Sequence, residues 1–223
     1  SSISHQSGVP VWKIIYDNQL GEEGKLTVGQ ALLLLKPQES AEIREDLYVT
    51  GYAYPFIEPY VLEMAFPALN ELLVFSYGFT FEGELVPPIQ DETWMIQLAW
   101  ENGIEPMLVL TPFTQGVFNN QLIQTLVEEE SVRKNVITNL LKVVEEKGYV
   151  GVDVDFEYVR AQNREGYAEF VGELRAAMNE KGYRVSVALA PKTSSDQKGL
   201  LYEGIDYAIL GEKPDRLFLM TYE

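Results

Sequence analysis

The chain contains no cysteine, which excludes a disulfide framework and any thiolate metal site. It carries a single histidine, His5, in a polar N-terminal stretch that suits a surface position. Most zinc sites, and any Ser-His or Cys-His catalytic pair away from His5, are therefore excluded as well. Basic residues are scarce: 17 Lys and Arg stand against 34 Asp and Glu, a formal net charge of −17. Nucleic acid is an unsuitable partner for such a chain, because phosphate binding needs clustered Lys and Arg. No apolar run approaches the roughly 20 residues that span a bilayer, so membrane insertion is not expected. Ser1 to Ser7 is polar and opens no signal-peptide pattern, although a signal removed earlier would leave the same start. Whatever chemistry the chain performs must rest on carboxylates, tyrosines and amides.

What is present is a globular composition, 46% hydrophobic and 12% aromatic, with length for one sizeable core or a small module plus a larger one. The first 37 residues read differently from the rest. Pro10 opens a segment to Asp17 with apolar residues at helical spacing. Leu26 to Leu35 reads as a turn and a short strand, stopped by Pro37. Residues 38–46 are polar and charged and read as a linker.

From Leu47 a rhythm begins. Strand candidates fall at Leu47–Tyr54, Leu72–Phe79, Pro106–Leu110, Val150–Phe156, Arg184–Leu189 and Arg216–Thr221. Helical patterns intervene at Glu92–Asn102, at Ser131–Lys147 with Ser131 as the expected cap, and at Glu165–Lys181. Near-continuous apolar strands separated by helices predict an α/β fold with a parallel sheet covered on its outer face. Glu146-Lys-Gly-Tyr149 and Glu180-Lys-Gly-Tyr183 are two copies of one helix stop, and Glu101-Asn-Gly-Ile104 is a looser third. Such repetition fits stacked βα units. Barrels and doubly wound sheets share it, but no glycine-rich phosphate loop follows a strand.

The segment Gly151-Val-Asp-Val-Asp-Phe-Glu-Tyr158 is the most informative. Side chains two apart on a strand share a face, so Asp153, Asp155 and Glu157 point the same way. Like charges gathered so closely raise the apparent pKa of at least one member, and a carboxyl kept protonated can act as a general acid. Three readings stay open on these residues alone: an exposed acidic edge, a hard-cation site, or paired carboxylates for glycoside chemistry.

This segment resembles the D-x-x-D-x-D-x-E signature on the fourth barrel strand of glycoside hydrolase family 18. Asp153, Asp155 and Glu157 fall on its last three acidic positions, while Val150 replaces the first. The Ser-x-Gly-Gly pattern of strand three is absent, with Met107 to Phe113 in its place. Met220-Thr-Tyr-Glu223 resembles the family's Met-x-Tyr-Asp at the end of strand six, with Glu223 for the aspartate. The resemblance covers 47–223. Residues 1–37 resemble a LysM glycan-binding module that lacks its first strand, through Ser2-Ile-Ser4, the helix after Pro10, Asp17-Asn18 and Leu26-Thr-Val-Gly-Gln30. Ala190-Pro-Lys-Thr-Ser194 and Gly199-Leu-Leu-Tyr-Glu203 resemble the peptidoglycan-directed branch, which includes spore cortex-lytic N-acetylglucosaminidases.

The resemblance implies a (β/α)8 barrel of which about six βα units are present, in a chain truncated at both ends. It implies substrate-assisted, retaining cleavage of β-1,4 bonds in an N-acetylglucosamine-containing polysaccharide, without metal or organic cofactor. Glu157 would be the proton donor, Asp155 would orient the substrate acetamide, Asp153 would tune Asp155, and Tyr222 would donate to the acetamide oxygen. Met220 and Glu223 would line the substrate site. Among aromatics near strand ends, Tyr52 and Tyr77 are the expected sugar platforms, with Tyr54, Phe79 and Phe113 as further candidates. A secreted protein of the cell wall or spore is implied. A lectin-like protein of the same fold, or a metal-dependent hydrolase using the same three carboxylates, are the competing readings.

Overall fold

The computed structural model describes residues 2–21, 24–35, 47–114 and 117–222. The chain divides into two compact units, Ser1–Leu47 and Tyr48–Glu223. The residues read as a linker, 38–46, lie outside those described.

In the first unit, α1 (Ser2–Ser7) ends at Gly8, whose φ of 72° lets its N–H return to the Ser4 carbonyl. Pro10 precedes α2 (Val11–Asp17), as its fixed φ favours. The short strand expected before Pro37 does not form: 31–35 is irregular. The Asn18 side chain takes the place of a partner strand. Its Nδ2 donates to the Leu33 carbonyl at 2.8 Å and to the Ile14 carbonyl at 2.9 Å, and its Oδ1 accepts from Leu33 N–H at 2.6 Å. Backbone groups satisfied by an amide have no need of a ladder.

The second unit alternates strands and helices: β1 (Thr50–Ala53), α3 (Pro59–Ala65), β2 (Glu71–Phe79), α4 (Thr93–Glu101), β3 (Glu105–Leu110), α5 (Asn120–Glu128), α6 (Glu130–Lys147), β4 (Gly151–Val154), α7 (Arg164–Asn179), β5 (Arg184–Leu189), α8 (Tyr207–Leu210) and β6 (Arg216–Leu219). Two small antiparallel ribbons decorate them, Leu85–Val86 against β2 and Phe113–Thr114 against Val117–Phe118. The six main strands are parallel and neighbour one another in chain order. A doubly wound sheet reverses its order at a switch point, and this one does not. The sheet is a curled half-barrel. Its curl brings the Tyr52 ring of edge strand β1 to 5.5 Å from the Phe218 ring of edge strand β6.

Each strand alternates between two environments. Leu72, Val74, Leu108, Leu110, Val152, Val154, Val185 and Val187 face outward into one large core with the helices. Leu73, Met107 and Val109 face inward. The three repeated helix stops have one geometry. Gly103, Gly148 and Gly182 have φ of 72°, 80° and 82°. The following N–H of Ile104, Tyr149 and Tyr183 returns to the carbonyl of Ala99, Val144 and Met178, at 2.9, 3.1 and 3.0 Å. This closing bond turns the chain from helix end into strand three times.

Two expectations fail locally. Ser131 does not cap its helix: α5 ends and α6 begins at Glu129, so Ser131 lies inside α6. Tyr77 does not face the barrel interior. The β2–β3 register shifts between Val74 and Tyr77. That irregularity inverts the alternation, so Tyr77 and Phe79 join the outer core. There Tyr77 Oη donates to the buried Glu92 Oε1 at 2.5 Å, and Lys147 Nζ reaches the same oxygen at 2.5 Å. The cluster ties the start of α4 to β2 and the end of α6.

The amino end of the interior is closed by charges. Glu71, fully buried, accepts from Tyr48 at 3.2 Å, Thr50 at 3.1 Å, Arg184 at 3.3 Å and Arg216 at 2.5 Å. Glu105 accepts from the same Tyr48 and Arg184 at 2.8 and 2.5 Å. Two carboxylates against two guanidiniums form a neutral plug, with the ionised oxygens hydrogen-bonded as burial requires.

Candidate active site

Strand β4 carries the acidic residues because its other face is thoroughly apolar. Val152 and Val154 lie under the helices, and the Phe156 ring stacks on Phe79, Tyr167 and Phe170 at 5.8, 5.5 and 5.9 Å. Burying that row outward forces Asp153 and Asp155 inward. Asp155 N–H donates to the Leu110 carbonyl at 2.9 Å, which extends the parallel pairing past the strand end. Exposure then rises along the row. Asp153 is 0% exposed and Asp155 6% exposed, while Glu157 is only half-buried. Of the three, Glu157 is the most open to solvent. The next residue, Tyr158, has a left-handed φ of 59°, which turns the chain at that point.

Asp153 is gripped from both sides. Tyr52 Oη, from β1, donates to Oδ2 at 2.8 Å, and Ser186 Oγ, from β5, donates to Oδ1 in a short contact. Burial pushes the Asp153 carboxyl above the usual aspartate range. The Ser186 and Tyr52 hydrogen bonds oppose the shift, the Glu71 charge adds to it, and Arg216 draws it down. Tyr52 is itself pushed well above an ordinary phenol, first by burial and then by the Asp153 and Asp155 charges, so it stays a donor. A carboxyl that keeps its proton longer folded than unfolded loses stability as pH rises through that window. The unfolded group releases its proton near 3.8. Urea midpoints of the wild type and Asp153→Asn, measured from pH 4 upward, are therefore expected to diverge, with the wild type losing ground as pH rises. A pH-independent difference would contradict the assignment.

Of the expected site residues, the fold brings Tyr52 onto Asp153 and sets Asp155 and Tyr222 near enough to act on the ionisation of Tyr52, while Glu157, two residues past Asp155, is half-buried. Tyr222 is 69% exposed, its ring 6.4 Å from Phe218. It lies near enough to Tyr52 that loss of its own proton would oppose the ionisation of Tyr52. Met220 is buried with Ala188 and Ala190 beneath Leu201 and Tyr202, so it forms wall rather than contact surface. Glu223 lies outside the described residues. Tyr77, as stated above, is on the other side of the sheet. Tyr52 is held by its hydroxyl on Asp153 rather than lying free as a platform. Ser186 was missed. Its signal was available: it is the one hydroxyl in the otherwise aliphatic Val185–Leu189, and it sits in register with Asp153.

Over the carboxyl ends of β1 to β3 runs a groove with a cavity of about 700 Å³. Tyr54 stacks on Phe56 at 4.9 Å and meets Phe75 at 4.8 Å, while Phe113 meets Phe118 at 5.3 Å. Gly78 allows this closure, since a Cβ there would lie 2.3 Å from the Phe113 carbonyl oxygen. Flat apolar rings at such a groove suit the apolar faces of sugar rings.

The family 18 part of the resemblance is matched by comparison with known proteins. Residues 116–223 match the family model described as Glycosyl hydrolases family 18. The chain is 34% identical over 160 residues to the cortical fragment-lytic enzyme of Bacillus subtilis strain 168, a match spanning 71% of this chain and 36% of that protein. It is similar to the spore cortex-lytic enzyme SleL of Bacillus cereus, with a TM-score of 0.73, 29% identity and coverage of 98% of this chain and 50% of that one. SleL of Bacillus megaterium QM B1551 gives a TM-score of 0.74 at 27% identity, covering 100% of this chain and 52% of that one. The chain thus spans about a third of the curated relative and about half of the solved structures.

Proposed function

We propose that this chain carries the acid half of a family 18 glycosidase site that cleaves β-1,4 bonds in N-acetylglucosamine-containing glycan, with bacterial peptidoglycan as the substrate and spore cortex as its first candidate. The observation that supports the reading is the burial of Asp153 and Asp155 with Glu157 half-exposed after them, Asp153 being anchored by Tyr52 and Ser186. Glu157, nearest solvent, gives its proton to the leaving glycosidic oxygen. The substrate's own N-acetyl oxygen attacks the anomeric carbon as the bond breaks. Asp155 orients that acetamide and balances the oxazolinium charge. Asp153, pinned from two strands, keeps Asp155 facing the substrate. Tyr222 at the rim donates to the acetamide oxygen. Glu157 then takes a proton from water, which opens the oxazolinium and returns the acid to its starting state.

Asp153 has both carboxylate oxygens engaged by hydroxyl donors, which disfavours the cation-binding reading of the same row. Among the described residues no cluster of three His, Asp or Glu stands ready to hold a metal. Residues 1–37 fit a LysM-type glycan module placed ahead of the barrel, and a secreted, wall- or spore-associated protein follows from such a substrate. The test is digestion of purified cortex and vegetative-wall peptidoglycan by the full-length gene product. Mass spectrometry is expected to find new N-acetylglucosamine reducing ends, and NMR of the first product is expected to find the β anomer, insensitive to chelator. Binding without new reducing ends would establish the lectin reading, and loss of activity with chelator the metal-dependent one.

A further inference from the structure

The loop that follows β5, residues 190–206, is organised around one ammonium group. Lys192 Nζ donates to three backbone carbonyls, those of Ser195 at 3.2 Å, Tyr202 at 3.0 Å and Ile205 at 2.7 Å. Its own backbone is fixed as well. Lys192 N–H donates to Tyr207 Oη at 3.0 Å, and that hydroxyl donates to the Ala190 carbonyl at 2.6 Å. Three carbonyls converging on one charge make a stiff loop, because each charge-assisted bond is stronger than a neutral one.

The held end of this loop leans on the acid's own segment. Gly204 sits so close to Val159 that a Cβ would lie 1.9 Å from the Val159 carbonyl oxygen. Val159 is buried and follows Tyr158, whose left-handed backbone follows Glu157. Lys192 fixes Ile205, Gly204 abuts Val159, and Val159 is two residues from Glu157.

We infer that Lys192 is a positioning residue for Glu157: its ammonium clamps the 190–206 loop as a buttress that sets where the proton donor stands. The inference rests on the reading of Glu157 as general acid. A misplaced Glu157 penalises bond cleavage only where the leaving group needs its proton. Cleavage of a glycan, whose leaving alkoxide is a strong base, suffers. Cleavage of a dinitrophenyl N-acetylglucosaminide, whose leaving anion is stable, does not, and kcat/KM reads that step apart from the later base role of Glu157 toward water.

Lys192→Met is expected to lower kcat on glycan by about 10- to 100-fold, the effect of displacing a catalytic group by roughly an ångström, with KM held within about twofold. On the dinitrophenyl glycoside the loss in kcat/KM, which stops at bond cleavage, is expected to stay below about threefold, against the full loss in kcat/KM on glycan. Lys192→Arg keeps a charged donor group in the clamp and reads the result if Lys192→Met fails to fold: it is expected to show the same contrast more weakly, by about 3- to 10-fold on glycan. Equal losses on both substrates, or no loss on glycan, would overturn the inference. Glu157→Gln run alongside separates the two claims: if it spares glycan turnover, the acid assignment itself falls, whereas the leaving-group contrast in Glu157→Gln alone defeats only the role of Lys192.

Discussion

Glu157→Gln is expected to lower turnover of N-acetylglucosamine polymers by about 10²- to 10⁴-fold, the range supplied by a positioned general acid. The amide keeps the size and the hydrogen-bonding of the side chain but has no proton to give at the leaving oxygen. Glu157 is half-buried and outside the apolar core, so its replacement should leave folding and glycan affinity near the wild type. Initial rates on peptidoglycan, with the melting temperature measured on the same preparation, check it. A variant that folds and keeps more than about a tenth of its kcat would remove Glu157 from the mechanism. The asymmetry with Asp153 matters. Replacing Asp153 disturbs a buried carboxyl with two donors aimed at it, so its loss confounds stability with activity.

The second large effect concerns the fold. Gly151→Ala is expected to cost about 3 kcal/mol, at the upper end of overpacking penalties. Gly151 pairs in register with Arg184, and a Cβ on it would lie 2.0 Å from the Arg184 carbonyl oxygen. Backbone cannot yield as a long side chain can, so β4 and β5 must separate where Asp153 and Ser186 meet one step further on. At this chain length the melting temperature should fall by roughly 6–12 °C. A change below about 1 °C would show that the two strands do not approach so closely.

Most of the architecture was legible because each level repeated the same message. Six apolar runs became six strands, and the three glycine stops became three identical turns. The acidic row was legible for a deeper reason. Val152, Val154 and Phe156 demand burial against the helices, and the period of two then leaves Asp153 and Asp155 no other side. The errors fall where that period breaks or where a partner is not local. Tyr77 was assigned by uninterrupted alternation, and a register shift two residues earlier sent it to Glu92. Ser131 looked like a cap only because α5 was not foreseen; Asn119, whose Oδ1 accepts from Gln121 N–H, opens that helix. The expected strand at 31–35 lost its ladder to one asparagine side chain. Ser186 and Lys192 act through contacts distant in sequence, which no spacing rule reveals, although both lie in stretches that the sequence marked as notable.

The left-handed turn at Tyr158 carries a consequence for anyone reshaping this protein. A side chain bearing a Cβ resists that conformation by about 1 kcal/mol, a cost that glycine would not incur. Tyrosine there means the chain tolerates a less comfortable backbone beside Glu157. Thermostabilising substitutions found by screening for heat resistance alone would tend to relax this corner first, and the proteins so selected would be sturdier and slower.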